Sequence, residues 1–146
     1  MAKSIRCRGA VCWSPGSPIV LEELEVAAPT SGQVRIKIVA NSLCHTDFTW
    51  LRSSEVPLGG WPLVLGHEAT GIVESTGPDV ANIKPGDHVI VLWVSNCGEC
   101  YHCKKGNNLC TLNTTFRPQD LESSCFMAKG EKLHYMMVGT LAGKLR

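Results

Sequence analysis

Val34, Ile36 and Ile38 are apolar and alternate with Arg35 and Lys37, the period of two expected of a strand with one face on a core and the other toward water. The turn-forming run Pro29-Thr30-Ser31-Gly32 stands just before it. An earlier strand pair is predicted over 8–12 and 19–25, parted by Ser14-Pro15-Gly16-Ser17-Pro18 in the manner of a hairpin. Two further strands are predicted at Gly71-Ile72-Val73-Glu74 and at 87–92, with Gly77-Pro78 in the loop between them and a Lys84-Pro85-Gly86-Asp87 turn leading into the second. One helix start stands out, where Thr46 or Asp47 can cap a short helix running to about Arg52. Many short strands punctuated by Gly and Pro predict a mainly β chain with little helix, built as a compact barrel or sandwich.

Composition narrows the classes of function. A chain of 146 residues with 44% hydrophobic and 18% charged residues fits one globular domain. A net charge of +1 without any like-charge run argues against a nucleic-acid or anionic-membrane partner. The longest apolar stretch, Val89 to Val94, is too short to span a bilayer, and the start MAKSIRCRG has no apolar signal core, so a cytoplasmic protein is expected. The glycines at 59, 60, 66, 71 and 77 do not form G-x-G-x-x-G, so no turn for a dinucleotide pyrophosphate is expected here.

The chemistry lies in the cysteines. Cys97, Cys100, Cys103 and Cys110 stand as C-x₂-C-x₂-C-x₆-C, a spacing that puts four thiolates within reach of one tetrahedral ion. Disulfides and an iron–sulfur cluster are the alternatives. A cytoplasmic chain keeps its thiols reduced, and a ferredoxin-type run has a shorter last gap followed by proline, where Thr111 stands here. Zinc held by four sulfurs has no open position and braces a loop. Lys104, Lys105 and the amides of 106–109 are expected to offset the thiolate charge, with His102 facing solvent. Cys7, Cys12 and Cys125 read as small buried hydrophobes. A second set, Cys44-His45-Thr46-Asp47 and Gly66-His67-Glu68, offers a thiol, an imidazole and two carboxylates, and Asp47 could hold the free ring nitrogen of His67.

Taken in order, CHTD, LVLGHEATGIVES, TGPDV, KPGDHV and CGECYHCKKGNNLC resemble the amino-terminal part of zinc-dependent medium-chain alcohol dehydrogenases, close to the class III and plant-like branches. The resemblance covers 6–140 and implies a GroES-like β-barrel carrying a structural zinc lobe at about 95–113, followed by a divergent tail at 141–146 and cut off before the Rossmann domain. By motif position it implies that Cys44 and His67 are catalytic zinc ligands with Glu68 and Asp47 beside them, and that Cys97, Cys100, Cys103 and Cys110 hold the structural zinc. It further implies that Thr46 takes the alcohol proton, that His45 reaches the pyrophosphate of NAD, and that Trp93 walls the substrate pocket. The implied substrate is a small alcohol or aldehyde, S-(hydroxymethyl)glutathione included, and the full-length family member is expected to be a homodimer.

The match is incomplete in three ways. Phe48 and Thr49 stand where a relay histidine is expected, the last gap of the thiolate loop is one residue short, and the family's third catalytic ligand, a cysteine, has no counterpart; Cys125 is out of place for it. Two readings follow: part of an NAD-linked alcohol dehydrogenase that is inactive without its cofactor domain and third ligand, or an inert truncated zinc-binding module.

Overall fold

The computed structural model describes residues 2–53, 60–111 and 121–144; the expected far end of the lobe at 112–113 and the last two residues of the tail lie outside them. β1 (Ile5–Cys12) and β2 (Val20–Val26) form the expected antiparallel hairpin. Its alternation is set by chemistry: Cys7, Gly9 and Val11 face inward while Arg6 and Arg8 face water. A Cβ at Gly9 would lie 2.3 Å from Cδ1 of the buried Leu24 on the paired strand, so Leu24 packs over the space that glycine leaves.

The other edge of β1 is shared. Its first half pairs with β10 (Ala142–Lys144), and its end pairs with β4 (Leu63–Val64). The tail expected to diverge thus supplies a strand, as far as it is described. With β7 (Phe126–Ala128), β8 (Glu131–Lys132) and β9 (His134–Tyr135), these make a seven-stranded sheet in the order β8-β7-β2-β1-β4-β9, with β10 beside β1. A second sheet holds β3 (Val34–Asn41), β5 (Ala69–Thr76) and β6 (His88–Val91) in the order β3-β5-β6. The result is the expected β-rich, nearly closed barrel. Among the described residues the helices are short: α1 (His45–Arg52), α2 (Tyr101–Lys104) and a 3₁₀ turn at Leu121–Ser123. None of them is long and apolar enough to cross a membrane.

Two apolar clusters fill the interior. Cys7, Val11, Leu24, Val64, Phe126 and Leu133 pack between the hairpin and the later strands. Trp50 of α1 packs on Leu63, Leu65 and Met136, which seats the helix against the barrel and brings its first turn beside residues 65–67. Burying a side chain of this size contributes about 1.5–3 kcal/mol.

One strand departs from its alternation. Lys37 is exposed as expected, but Arg35 is buried, because its guanidinium donates to Glu74 Oε2 at 2.6 Å and to the carbonyls of Lys3 and Ala27. Satisfied on three sides, this charge ties the amino terminus and the end of β2 to the second sheet, and a buried charge is tolerated only when so paired.

Candidate metal centres

The four-cysteine lobe is organised by its own backbone. Gly98 and Gly106 take positive φ, and α2 opens at Cys100, so the chain reverses twice around the sulfurs. All four Sγ atoms lie within 4.8 Å of one another, and those of Cys97 and Cys103 are 3.9 Å apart. Tetrahedral Zn–S bonds of about 2.3 Å place sulfurs roughly 3.8 Å apart, so the donor set fits such an ion as it stands.

Amide groups hold part of the thiolate charge. Hydrogen bonds from the Cys100 and Glu99 amides lower the Cys97 thiol, and the Thr111 and Cys103 amides lower Cys100 to about 5. Burial pushes Cys103 up to about 11, helped by the neighbouring Cys100 sulfur, because sulfurs this close resist charging together without a cation between them. The amides doing this belong to 98–103 and Thr111. Those of Gly106 and Asn107, expected to serve, instead close the turn on the Cys103 and His102 carbonyls. Lys105 lies over the Tyr101 ring, and His102 Nδ1 meets Asn107 Oδ1 at 3.2 Å.

The second centre is assembled from two separate segments. Cys44, and not the expected Thr46 or Asp47, is the N-cap of α1; Asp47, three residues on, reaches back from inside the first turn to accept the Cys44 N–H at 2.9 Å, and the helix ends at Arg52 as expected. The other oxygen of Asp47 accepts the N–H of Gly66 at 3.1 Å, in the segment that carries His67. Gly66 is held from its far side too, since its carbonyl accepts the Thr140 N–H.

Cys44, His67 and Glu68 then meet, with their ligand atoms all within 4.8 Å of one another. His67 is 4% exposed, and its Nε2 stands 3.7 Å from Glu68 Oε1. Its Nδ1 lies 3.8 Å from Asp47 Oδ1, beyond hydrogen-bond reach, and has no partner among the described residues. Asp47 therefore orders the backbones around the imidazole more directly than the ring itself. Glu68 is half exposed, and hydrogen bonds from the Ser42 hydroxyl, then the Cys44 thiol, hold its carboxyl below the usual range.

Around this trio stand the other residues singled out in the sequence. Thr46 Oγ1 is 3.5 Å from Cys44 Sγ. Trp93 meets His67 edge-on at 6.4 Å between ring centroids. His45 is exposed on α1, with Nδ1 3.4 Å from Thr49 Oγ1. Cys125 is elsewhere, packed against the first core cluster, where burial raises its thiol. Ser42 gave no signal in the sequence: its partner lies 26 residues away, and a serine at a strand end has no periodic signature.

The donor chemistry suits zinc in both places: four sulfurs in one, and sulfur, nitrogen and oxygen in the other. Comparison with known proteins places the chain in a family. Residues 30–140 match the model for the alcohol dehydrogenase GroES-like domain. Alcohol dehydrogenase 1 of Trifolium repens is 45% identical over 142 residues, covering 93% of this chain and 37% of the relative. Alcohol dehydrogenase class-3 of Drosophila melanogaster is also 45% identical, over 147 residues, covering 96% of this chain and 38% of the relative, so plant and class-3 relatives match alike. Among solved structures, an alcohol dehydrogenase zinc-binding domain protein from Burkholderia ambifaria superposes with a TM-score of 0.80 at 33% identity, over 96% of this chain and 39% of that one. A Helicobacter pylori protein named CAD, solved with NADP(H), gives 0.60 at 25% identity, over 90% of this chain and 37% of that one. The chain spans just over a third of the length of the curated relatives it matches. By its GroES-like domain, the chain belongs to the medium-chain alcohol dehydrogenase family.

Proposed function

We propose that the chain is the amino-terminal, metal-binding part of a zinc-dependent, NAD-linked alcohol dehydrogenase that oxidises a small alcohol to an aldehyde or ketone. The observation that carries this reading is the pairing of a closed four-thiolate centre with an open Cys44, His67 and Glu68 centre in one domain. Glu68 adds an oxygen donor beside the Cys44 sulfur and the His67 nitrogen. Zinc bound there supplies the charge that makes an alcohol acidic at neutral pH.

The chain's own residues do the rest. Asp47 fixes the spacing between Cys44 and the segment that carries His67 by accepting the Cys44 and Gly66 N–H groups. Thr46 Oγ1, beside the Cys44 sulfur, takes the alcohol proton and hands it outward. Trp93, edge-on to His67, walls the pocket and favours small, flat or apolar alcohols. His45, exposed at the start of α1, is the side chain offered to a cofactor phosphate, and the helix start also favours an anion. The hydride acceptor would be held by the portion of the relatives beyond the matched third, and the chain alone is inactive. S-(hydroxymethyl)glutathione is one candidate alcohol, and a cytoplasmic homodimer is the expected form of the longer protein.

A chimera tests this: the chain replaces the matching part of the Trifolium repens relative, and ethanol-dependent NAD reduction is followed. Turnover that disappears with Cys44→Ser supports the reading. A folded chimera that binds both metals and shows no turnover with any of a panel of alcohols overturns it, leaving the zinc-binding module, which the self-contained lobe favours.

A further inference from the structure

The end of β3 does more than terminate a strand. Ser42 donates its N–H to the Glu68 carbonyl at 3.2 Å and its hydroxyl to Glu68 Oε2 in a short hydrogen bond, so one residue holds both the backbone and the side chain of Glu68. With Oε2 taken, Oε1 is the oxygen left facing His67 Nε2. The preceding residue works in the same direction: Asn41 Nδ2 donates to the Thr140 carbonyl, and Thr140 N–H holds the Gly66 carbonyl just before His67. The strand end therefore braces the two residues that supply nitrogen and oxygen to the open centre.

We propose that Ser42 is a positioning residue that holds Glu68 by Oε2 and so presents Oε1 as a single-oxygen donor beside Cys44 and His67 in the open centre. A carboxylate free to rotate could offer both oxygens or swing to solvent; one clamped at Oε2 offers a single oxygen in a fixed place. The ligand is a divalent ion that accepts sulfur, nitrogen and oxygen together, zinc or cobalt. Outer partners of this kind change metal affinity by about 10–100-fold when removed.

This rests on the reading of the open centre as a metal site, and cobalt(II) separates the two questions. The whole chain, freed of metal, is titrated with cobalt(II) while the charge-transfer and ligand-field bands are followed; a four-sulfur centre and a mixed one absorb differently. Two equivalents are expected in the wild-type chain. Ser42→Ala should weaken the mixed-ligand centre about tenfold and shift its bands, with the four-sulfur bands unchanged, and Ser42→Thr should restore it. Unchanged affinity and bands in Ser42→Ala, with two cobalts bound, overturn the role of Ser42 alone. A wild-type chain that binds one cobalt, with four-sulfur bands only, overturns the open centre and the inference with it.

Discussion

Asp47 accepts the N–H of Gly66 at 3.1 Å, from a helix nineteen residues earlier in the chain, and both groups are buried. The carboxylate's second oxygen is committed to Cys44, so one side chain spans the two segments whose side chains meet at the open centre.

Replacing Asp47 with Ala should cost about 3 kcal/mol of stability, because the buried Gly66 N–H and the partly buried Cys44 N–H lose a carboxylate acceptor, and an unsatisfied N–H carries a penalty of about 1–3 kcal/mol. Urea denaturation of the metal-free chain measures this without interference from bound ions. A loss under about 1 kcal/mol would mean that water reaches these amides and that the bridge is not what holds the segments.

Gly66 has φ +97, and a Cβ added there would lie 2.6 Å from the Leu141 nitrogen and 2.6 Å from Thr140 Oγ1. Gly66→Ala should therefore push the segment off residues 140–141 and swing His67 away from Cys44. The expected outcome is a stability loss of about 1–3 kcal/mol with selective loss of the mixed-ligand metal. Retention of that metal at wild-type affinity would show that His67 does not depend on this close approach.

Lys129 and Trp13 both point at Glu22: Lys129 Nζ lies 2.6 Å and Trp13 Nε1 2.9 Å from Oε1, and the ammonium sits over the indole ring at 4.6 Å. These bonds, Lys129 first, hold the Glu22 carboxyl below its ordinary range. A depressed folded value means that stability from this lock is present above the unfolded pKa of about 4.3 and is lost as pH falls through the folded value. Glu22→Gln should flatten the acid limb of the stability curve, as read by urea denaturation at a series of pH values. An acid limb identical to wild type would remove Glu22 from the account.

The long strands were legible because water and core impose a period of two on them. Cys7, Gly9 and Val11 alternate with Arg6 and Arg8, and 34–38 do nearly the same. Arg35 broke the rule because its partners, Lys3, Ala27 and Glu74, are distant in sequence. The strands of two or three residues, β4, β7, β8, β9 and β10, were not legible, since such runs have no period and their pairing is decided by what they meet. In the sites, the thiolate spacing was visible because its ligands are local. The pairing of Cys44 with His67 rested on resemblance, and Ser42 surfaced only once the end of β3 was seen against Glu68.

The four-thiolate lobe should fold on metal independently of the barrel. Among the described residues, its hydrogen bonds run within 96–111, α2 is one turn long, and Tyr101 and Leu109 are 69% and 66% exposed, so little apolar burial opposes the entropy of the loop. A structural zinc contributes about 10–16 kcal/mol on binding in small zinc modules, which is ample to order such a segment. Chelation, or Cys97→Ser, should therefore remove amide-exchange protection from 97–110 and release the tightly held ion, while the amides of β1, β2 and β5 keep theirs. Simultaneous loss of protection in both sheets would show that lobe and barrel form one cooperative unit, and the independence argued from the hydrogen bonding would be wrong.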